Sequence, residues 1–476
     1  MSESQPNIVV VVLDSVRFDR TSVGDQDRET TPNIERIADH SEGRSLDTAI
    51  AHARYTLPSS ASILTGSAPG SHGIGFGSTS LDTTVPTVAE AFTAAGYETA
   101  LVSNNHFVGP ETGLDRGFAT TTVLPNSPLG ILKTVGISPV ARWVGNIRRH
   151  SAGFETDKYR HSSAYLTTEL INQQLDRLSA QSDPFFLYAH YNQTHRPYYP
   201  PLAWFDKYDD RFELSRHEAG DFSMDVHRNL VEKVANGCPF TDDEWETLRA
   251  LYDAQLEYTD TFLGELFDRI QAMDEETIVV VTSDHGEHFG ERGALGHKYV
   301  LDDALLRVPL VTAGLEIDPT DAPVQHTDLM RTLLEVANGP TEFVDGIDLR
   351  HETRPFAVSQ DGPRSLEPLT EITPEFDASQ FFPGAEGSLP ARTSLRTRTH
   401  RYVRGADGTD ALYQLPNEVD DRSDADLELL ESLGAELDAW ESTHEPINSD
   451  SGESDGELSA ATKSRLMNMG YLEEEL

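Results

Sequence analysis

Four short apolar runs in the sequence each lead into Asp, Asn or His, residue types that can bind a metal ion or transfer a proton. The polar residues that follow the four runs are Asp14, Arg17 and Asp19 after 8–13; Asn104, Asn105 and His106 after 98–103; His190, Asn192 and His195 after 184–189; and Asp284, His285, Glu287 and His288 after 277–282. A single Asp after a strand is more often a helix cap. Four such positions in one chain are typical of a metal site. Oxygen and imidazole ligands without thiolates suit Mg²⁺, Mn²⁺, Ca²⁺ or Zn²⁺.

Thr56 is the candidate nucleophile. It lies in residues 53–66, which are predicted to form a loop that enters a helix, with Pro58 near the first helical position and Thr56 just before the helix. The amides of a helix N-terminus and a bound divalent ion would both stabilise an alkoxide at this position. On this segment alone, the simpler interpretation is that Thr56 or Ser59 caps the helix.

The elements that must hold these residues are strands and helices in alternation. The four apolar runs are short, continuous and rich in β-branched residues, which predicts strands buried on both faces of a parallel sheet. Between them, residues 87–95, 164–178 and 242–270 have helical patterns. The predicted fold class is therefore α/β, a three-layer sandwich with a mostly parallel central sheet. Because ligands bind beyond the carboxyl ends of such strands, the four polar positions are expected to meet there.

The pattern changes near residue 350, which divides the chain into three predicted units. Residues 1–350 form the main α/β domain. Residues 351–420 are rich in Pro, Gly and acids, and then alternate in period two at 394–403 and 411–415, which predicts a small antiparallel C-terminal subdomain. Residues 421–476 are expected to form an acidic helical tail, with a linker at 445–457 and a small apolar patch at 466–472 that docks on the body.

Charge and composition narrow the function classes. The 476 residues include 80 Asp and Glu against 37 Lys and Arg, a net charge of −43, which argues against a nucleic-acid partner. Mean hydropathy is −0.44, and no apolar run approaches the ~20 residues that span a bilayer. Acids spread along the whole chain predict a protein that works in molar salt, the alternative being a mesophilic protein with an acidic surface. The single cysteine, Cys238, excludes an intrachain disulfide, and the N-terminal residues predict a cytoplasmic location.

Residues 129–150 are the one basic amphipathic stretch in this acidic chain, with Lys133, Arg142, Arg148 and Arg149 among apolar residues. They are interpreted first as a surface helix that balances nearby acids. The alternative is a dock for an anionic substrate or for peripheral contact with an anionic membrane surface.

The ordered motifs resemble those of the sulfatase branch of the alkaline phosphatase superfamily, over almost the whole chain. The stretches that carry the resemblance are 6–19 (PNIVVVVLDSVRFD), 56–66 (TLPSSASILTG), 184–198 (PFFLYAHYNQTHRPY), 282–287 (TSDHGE), 296–298 (GHK), 306–310 (LRVPL), 412–415 (LYQL) and 470–472 (GYL). The resemblance implies an alkaline phosphatase-like fold and hydrolysis of an anionic ester.

Departures from the family's pattern bear on the reaction. True sulfatases oxidise a Cys or Ser at the nucleophile position to formylglycine, whereas Thr56 has a methyl group on Cβ and cannot give that aldehyde. Where the family has an arginine after the nucleophile, this chain has Ser60, although Arg54 is close by in the sequence. The lysine that usually precedes the first-site histidine is Asn104, with His106 retained. The pattern resembles phosphodiesterase and phosphoethanolamine-transferase relatives, which use a metal-bound threonine.

The resemblance implies a set of roles. Asp14, Thr56, Asp284 and His285 would bind one divalent cation, and Thr56 would attack phosphorus to give a phosphothreonine. His195, His297 and Lys298 would stabilise charge on the ester oxygens and the leaving group. Asn104, His106 and Arg54 would bind substrate. A second metal held by His195 and His297 remains an alternative. Glu287 and His288 are interpreted as the first turn of a helix.

Three functions follow in order of preference. The first is hydrolysis or transfer of a phosphodiester or phosphomonoester. The second is sulfuric ester hydrolysis. The third is a non-catalytic, metal-stabilised binding protein. The expected partner is a small anionic ester such as a sugar, lipid-headgroup or nucleotide-like compound.

Overall fold

A seven-stranded sheet lies at the centre of the computed structural model, which describes residues 5–447 except 26, 77 and 419. The apolar patch predicted at 466–472 and most of the predicted linker therefore lie outside the described residues. The strands, in chain order, are β1 Asn7–Leu13, β2 Gly43–Ser45, β3 Ala49–Ile50, β4 Glu98–Ser103, β5 Thr120–Val123, β6 Phe185–Tyr191, β7 Thr277–Ser283, β8 His288–Phe289, β9 Leu295–Gly296, β10 Leu310–Ala313, β11 Val324–Gln325, β12 Ala357–Asp361, β13 Arg364–Ser365, β14 Ser388–Leu389, β15 Arg392–Arg396, β16 His400–Gly405 and β17 Asp410–Gln414.

The α-helices within these ranges pack mainly against the central sheet. In chain order they are α1 Pro32–Ala38, α2 Thr56–Thr65, α3 Pro69–His72, α4 Val88–Ala94, α5 Pro128–Val135, α6 Ile137–Gly145, α7 Ile147–His150, α8 Ala164–Leu178, α9 Leu202–Tyr208, α10 Arg216–Arg228, α11 Leu230–Ala235, α12 Asp242–Gln271, α13 Asp303–Leu306, α14 His326–Val336, α15 Glu367–Ile372 and α16 Leu427–Glu441. Short 3-10 turns lie at Phe18–Arg20, Lys158–Arg160, Asp209–Arg211, Glu291–Gly293 and Ala378–Gln380. None of the helices described is long and apolar enough to cross a bilayer.

The central sheet has the order β2-β10-β7-β1-β6-β4-β5 and is mostly parallel. β1 pairs in parallel with β6 on one side and with β7 on the other, and only β10 runs antiparallel to its neighbours. Because side chains alternate across a strand, Val9 and Val11 enter one apolar core and Val10 and Val12 the other. Helices α8 and α12 cover the first face, and α4 and α14 cover the second. The predicted three-layer α/β sandwich is confirmed.

The four strands expected from the apolar runs form with small shifts at their ends, as β1, β4, β6 and β7. Helix α8 has the predicted bounds, and α12 ends one residue later than predicted. These elements were predictable because each has an unbroken pattern of apolar residues typical of a buried strand or of one face of a helix.

A separate antiparallel sheet follows, with the order β12-β15-β16-β17. Its core contains Leu395, Tyr402 and Leu412, over which α16 packs Leu433 and Leu437. The period-two stretch 394–403 contains a turn, closed where the Thr397 N–H donates to the carbonyl of His400, so it forms two strands rather than one. The buried strand β12 lies in the part of the chain predicted to be mainly loop.

Candidate metal and nucleophile site

Asp14, Asp284 and His285 meet where two neighbouring strands end. Leu13 and Ser283 are paired in register as the last residues of β1 and β7, so the residues after them lie side by side. All three side chains are fully buried, and each offers one ligand atom within 4.8 Å of the other two. The structure therefore brings together three of the four predicted metal ligands.

Thr56, the fourth predicted ligand and the predicted nucleophile, lies against this cluster. Its Oγ1 is 3.4 Å from Oδ2 of Asp14 and 3.3 Å from Nε2 of His285. Thr56 is the first residue of α2 rather than the residue before it, and Tyr55 is the N-cap residue without a capping bond from its side chain. The hydroxyl of Thr56 therefore faces the cluster. Ser59 does not cap the helix either, since its hydroxyl donates to the carbonyl of Asp284.

Local hydrogen bonds fix the orientation of both carboxylates. Ser15 has a positive φ of 61°, and its N–H donates to Oδ1 of Asp284 while its hydroxyl donates to Oδ1 of Asp14. The His285 N–H also donates to Oδ1 of Asp284 at 2.9 Å. The remaining oxygen, Oδ2 of Asp284, is buried and accepts no hydrogen bond from the described residues. A buried carboxylate oxygen without a donor is what a cation ligand requires.

His285 presents a lone pair to the same space. Its Nδ1 lies 2.8 Å from the carbonyl oxygen of Gly286. Because a carbonyl oxygen only accepts, Nδ1 carries the proton and Nε2 is left as the acceptor that faces Thr56. Burial lowers the pKa of His285, which favours this neutral form. A neutral imidazole with its second nitrogen so fixed is a typical metal ligand.

The carboxyl groups of Asp14 and Asp284 repel each other when both are ionised. Burial raises the pKa of Asp284 well above its usual value, and the charge of Asp14 raises it further. Burial also acts to raise the pKa of Asp14, but the neighbouring imidazoles of His190, His195 and His285 hold it below its usual range. A divalent cation would relieve this repulsion and allow both groups to ionise. The all-oxygen and nitrogen donor set, together with the free Oδ2 of Asp284, fits such an ion.

Two further histidines, both predicted, line the site beside the metal cluster. The ring centres of His285 and His297 are 4.6 Å apart, and those of His195 and His297 are 5.2 Å apart. Nδ1 of His195 lies 2.6 Å from the carbonyl oxygen of Arg196, and Nδ1 of His297 lies 3.0 Å from Oε1 of Glu287. Burial lowers the pKa of both rings, that of His195 to about 4.

Arg54 and Lys298 are also close to this part of the chain. Nη1 of Arg54 donates to the backbone carbonyl of His297 at 2.8 Å, and its Nε donates to Asp361, also at 2.8 Å. Lys298, directly after His297, is buried. Arg54 therefore has a structural contact that the sequence did not predict, and its proposed role in binding substrate stays a prediction.

The two residues predicted after β4 have contacts with other side chains and backbone, and their role in binding substrate stays a prediction. The Asn104 side chain donates to Oγ of Ser163 and accepts from the N–H of Asn192, while His106 lies 3.0 Å from Nδ2 of Asn126. The neighbour between them, Asn105, donates to Oδ2 of Asp14 at 2.9 Å. Since a strand end rarely fixes which of three consecutive residues turns inward, the sequence could not single out Asn105.

Glu287 and His190 also follow predicted strands, and the sequence analysis gave neither of them a role at the site. Glu287 is fully buried and lies in the turn between Asp284 and β8, not in a helix, because the chain there forms a two-residue strand. Nε2 of His190, on β6 next to β1, is 3.6 Å from Oδ2 of Asp14. His190 could have been assigned to the site from the sequence, since a polar side chain at the end of an apolar strand faces either the core or the site.

Comparisons with known proteins identify the family of this chain. The sulfatase family model matches residues 6–339. A choline-sulfatase from Rhizobium meliloti is 27% identical over 449 residues, which cover 87% of this chain and 81% of the relative. A phosphonate monoester hydrolase from Silicibacter pomeroyi superposes with a TM-score of 0.70 at 21% identity, covering 94% of this chain and 96% of that one. A 2-O GAG sulfatase superposes with a TM-score of 0.65 at 17% identity, covering 92% of each chain. The chain is therefore a hydrolase that belongs to the sulfatase family of the alkaline phosphatase superfamily.

Proposed function

We propose that this chain hydrolyses a phosphate ester, a phosphodiester or a phosphomonoester, with Thr56 as the direct nucleophile. The observation that carries the proposal is the position of Thr56, whose hydroxyl lies within 3.4 Å of Asp14 and within 3.3 Å of His285. Because Cβ of threonine carries a methyl group, its oxidation gives a ketone and not the aldehyde of formylglycine. The nucleophile must therefore be the hydroxyl itself.

The chain's own residues account for the proton and for the geometry. Two acceptors lie within reach of the Thr56 hydroxyl proton, Oδ2 of Asp14 and Nε2 of His285. The bond from Oγ1 to phosphorus forms as the bond from phosphorus to the leaving oxygen breaks, and the leaving alcohol takes up a proton. Attack of water on phosphorus then releases phosphate or a phosphate monoester and restores the hydroxyl. Asp14, Asp284 and His285 would hold a divalent cation, which would stabilise charge on the ester and lower the pKa of the Thr56 hydroxyl.

His195 and His297 are assigned to the ester oxygens and the leaving group. The carbonyl of Arg196 and the carboxyl group of Glu287 each hold the Nδ1 atom of one ring, so the orientation of both rings is fixed. Rings fixed in this way act on developing charge without reorganising first. Lys298 would add a fixed positive charge beside them.

Arg54 and Arg364 line a small cavity together with Tyr55 and Asp361, and the Asp361 carboxylate pairs with Arg54 at 2.8 Å. Guanidinium groups bind singly or doubly charged tetrahedral groups, which matches the anionic ester expected here. We propose that the substrate is a small anionic ester, such as a sugar, lipid-headgroup or nucleotide-like compound.

Sulfuric ester hydrolysis is the second candidate, and the related proteins favour it over the first. A choline-sulfatase aligns over most of this chain, and a 2-O GAG sulfatase shares its fold. A sulfate monoester and a phosphodiester each carry one negative charge on a tetrahedral centre, so the same site can bind either. What favours phosphate is the release step. Neither a sulfated nor a phosphorylated threonine has the elimination route of a hydrated aldehyde, so water must attack the central atom, and a cation and histidines assist that attack better at phosphorus than at sulfur.

Turnover of matched nitrophenyl esters tests both candidates. The metal-loaded chain is assayed in high salt with nitrophenyl phosphate, bis-nitrophenyl phosphate, a nitrophenyl phosphonate and nitrophenyl sulfate. We expect turnover of at least one phosphorus ester to exceed sulfate turnover, and rapid quenching to leave phosphate on the peptide that contains Thr56. Faster turnover of the sulfate ester than of every phosphorus ester would establish the second candidate. If no ester is turned over while metal is bound, the chain is a binding protein.

A further inference from the structure

One segment of the surface differs in charge from the rest of the protein. Residues 116–154 contain no Asp or Glu, although 80 of the 476 residues are acidic. Within them, residues 126–154 carry Lys133, Arg142, Arg148 and Arg149, and we call these residues the basic–apolar segment. In a chain of net charge −43, this segment is where a negatively charged surface would meet the least repulsion.

The same segment holds most of the exposed large apolar side chains in the part of the chain that the structure describes. Five of the seven such side chains lie in it. They are Leu129, Leu132, Ile137, Val144 and Phe154. Phe154 is 94% exposed and Ile137 is 75% exposed, so each of the two projects almost fully from the surface. An exposed apolar group of this size on one surface marks an interaction site.

Contacts on the inner side hold the segment to the body and leave its outer side in water. Val135 is buried, and its carbonyl accepts from Nε2 of Gln173 on α8. Within the segment, the indole N–H of Trp143 donates to the carbonyl of His150 at 3.2 Å, and Nδ1 of His150 lies 3.2 Å from the hydroxyl of Tyr258 on α12. The three short helices α5, α6 and α7 thus form a fixed platform whose outward residues are apolar and basic.

The ion pairs of the segment leave its positive charge accessible. Arg142 pairs with Glu169 and Arg148 with Asp206, at 2.9 Å and 2.7 Å. Both arginine side chains remain more than half exposed, at 58% and 63%. Exposed pairs of this kind are weak and exchange readily with another anion.

We propose that the basic–apolar segment docks the protein on an anionic lipid bilayer. Basic residues interspersed with projecting aliphatic and aromatic side chains, on helices too short to span, are the combination that binds the interface of a bilayer. Single projecting side chains such as Phe154 and Ile137 suit insertion between lipids. The segment follows β5 at the carboxyl edge of the sheet, where Asn126 contacts His106, so docking would bring the edge that carries the site toward the lipid.

Vesicle flotation tests the proposal. Full-length protein is mixed with phosphatidylglycerol vesicles or with phosphatidylcholine vesicles, in low and in molar potassium chloride. We expect roughly tenfold more protein to float with the anionic vesicles in low salt, and less of it in molar salt. The double variants Ile137→Ser/Phe154→Ser and Arg148→Gln/Arg149→Gln should each lose most of this binding.

Matched controls separate docking from a general change of surface or fold. Leu427 and Ile372 are exposed apolar residues outside the segment, so Leu427→Ser/Ile372→Ser should bind as the wild type does. Circular dichroism and turnover of a soluble ester should be unchanged in all three variants. Equal binding to both kinds of vesicle, or no binding to either, would overturn the proposal. So would equal loss of binding in the control, or a wild-type dimer that Ile137→Ser/Phe154→Ser dissociates.

Discussion

The hydroxyl of Thr56 can be removed without taking away a helix cap, which makes its contribution to activity measurable. Tyr55 occupies the N-cap position, and the described contacts of the hydroxyl are with Asp14 and His285. We expect Thr56→Ala to lower kcat by roughly a thousandfold or more, because the nucleophile is lost. The free energy of unfolding, measured in urea, should change by only ~1 kcal/mol.

Thr65→Ala is the matched control for Thr56→Ala. Thr65 is a buried threonine on the same helix, but its hydroxyl donates to the carbonyl of Ala61. Its removal should leave kcat within a few-fold of the wild type. If Thr56→Ala were as active as Thr65→Ala, Thr56 would not be the nucleophile.

Metal occupancy is a second prediction at the scale of residues. Asp284→Asn and His285→Ala each remove one ligand atom from the buried cluster, so both should lower bound divalent metal. Native mass spectrometry after loading with Mn²⁺, Mg²⁺, Ca²⁺ or Zn²⁺ in turn measures this directly. The control is Asp328→Asn, since Asp328 is as fully buried but lies at the start of α14 beside Arg354. Full occupancy in Asp284→Asn and His285→Ala would contradict the ligand assignment.

Sequence reasoning reached the residues whose position is set by an element boundary. Asp14 and Asp284 follow strands with continuous apolar patterns, so their common edge could be predicted from the sheet alone. Asn105 and Glu287 could not be identified in this way, because their direction depends on the turn in which each lies. The strand β12 was missed for a related reason, since it is bounded by Pro and Gly and its burial comes from pairing with β15.

Helix α12 allows the stability of one element to be tested without touching the site. The Thr241 hydroxyl accepts from the N–H of Glu244, whose carboxylate accepts in return from the N–H of Thr241. We expect Thr241→Ala to lower the free energy of unfolding by ~1 kcal/mol. Urea unfolding measures the change, and the m-value and kcat should stay as in the wild type. A loss of activity at unchanged stability would show that α12 affects the site in another way.

A pH-dependent contact joins β8 to the residue before α13. Nε2 of His288 and Oδ1 of Asp302 lie 2.9 Å apart and are buried. Burial lowers the pKa of His288, but the charge of Asp302 and its hydrogen bond raise it above the usual value. Burial raises the pKa of Asp302, but His288 brings it below its usual range. The His288–Asp302 pair therefore contributes its full stabilisation between about pH 4 and pH 6.5. This stabilisation is lost as pH rises through the raised pKa of His288.

Replacing His288 by Gln tests that sign. We expect His288→Gln to be destabilising most strongly near pH ~5.5 and least at pH ~9, because the wild type has by then lost the charge on His288. Thermal unfolding across this range measures the difference. His217→Gln, which removes an exposed pair with Asp221, should show almost no pH dependence. A difference that grows toward high pH would contradict the assigned direction.

The whole molecule carries a net charge of −43, and this predicts its response to salt. The Debye length grows from ~3 Å at 1 M salt to ~10 Å at 0.1 M, so dilution exposes the acidic groups to one another. We expect the Tm and the specific activity to fall together when the protein is moved from molar to tenth-molar potassium chloride. Calorimetry and ester turnover on the same samples measure both. An unchanged Tm would favour the alternative of a mesophilic protein with an acidic surface.

The pairing of β1 with β7 has a consequence for biosynthesis. Asp14 leaves the ribosome 270 residues before Asp284, which His285 follows. Until then a nascent chain presents one carboxylate where a cation needs at least three ligands, so it cannot capture metal early. Metal loading is therefore a late event in the life of each molecule, and fragments that stop before β7 cannot compete with finished protein for the ion.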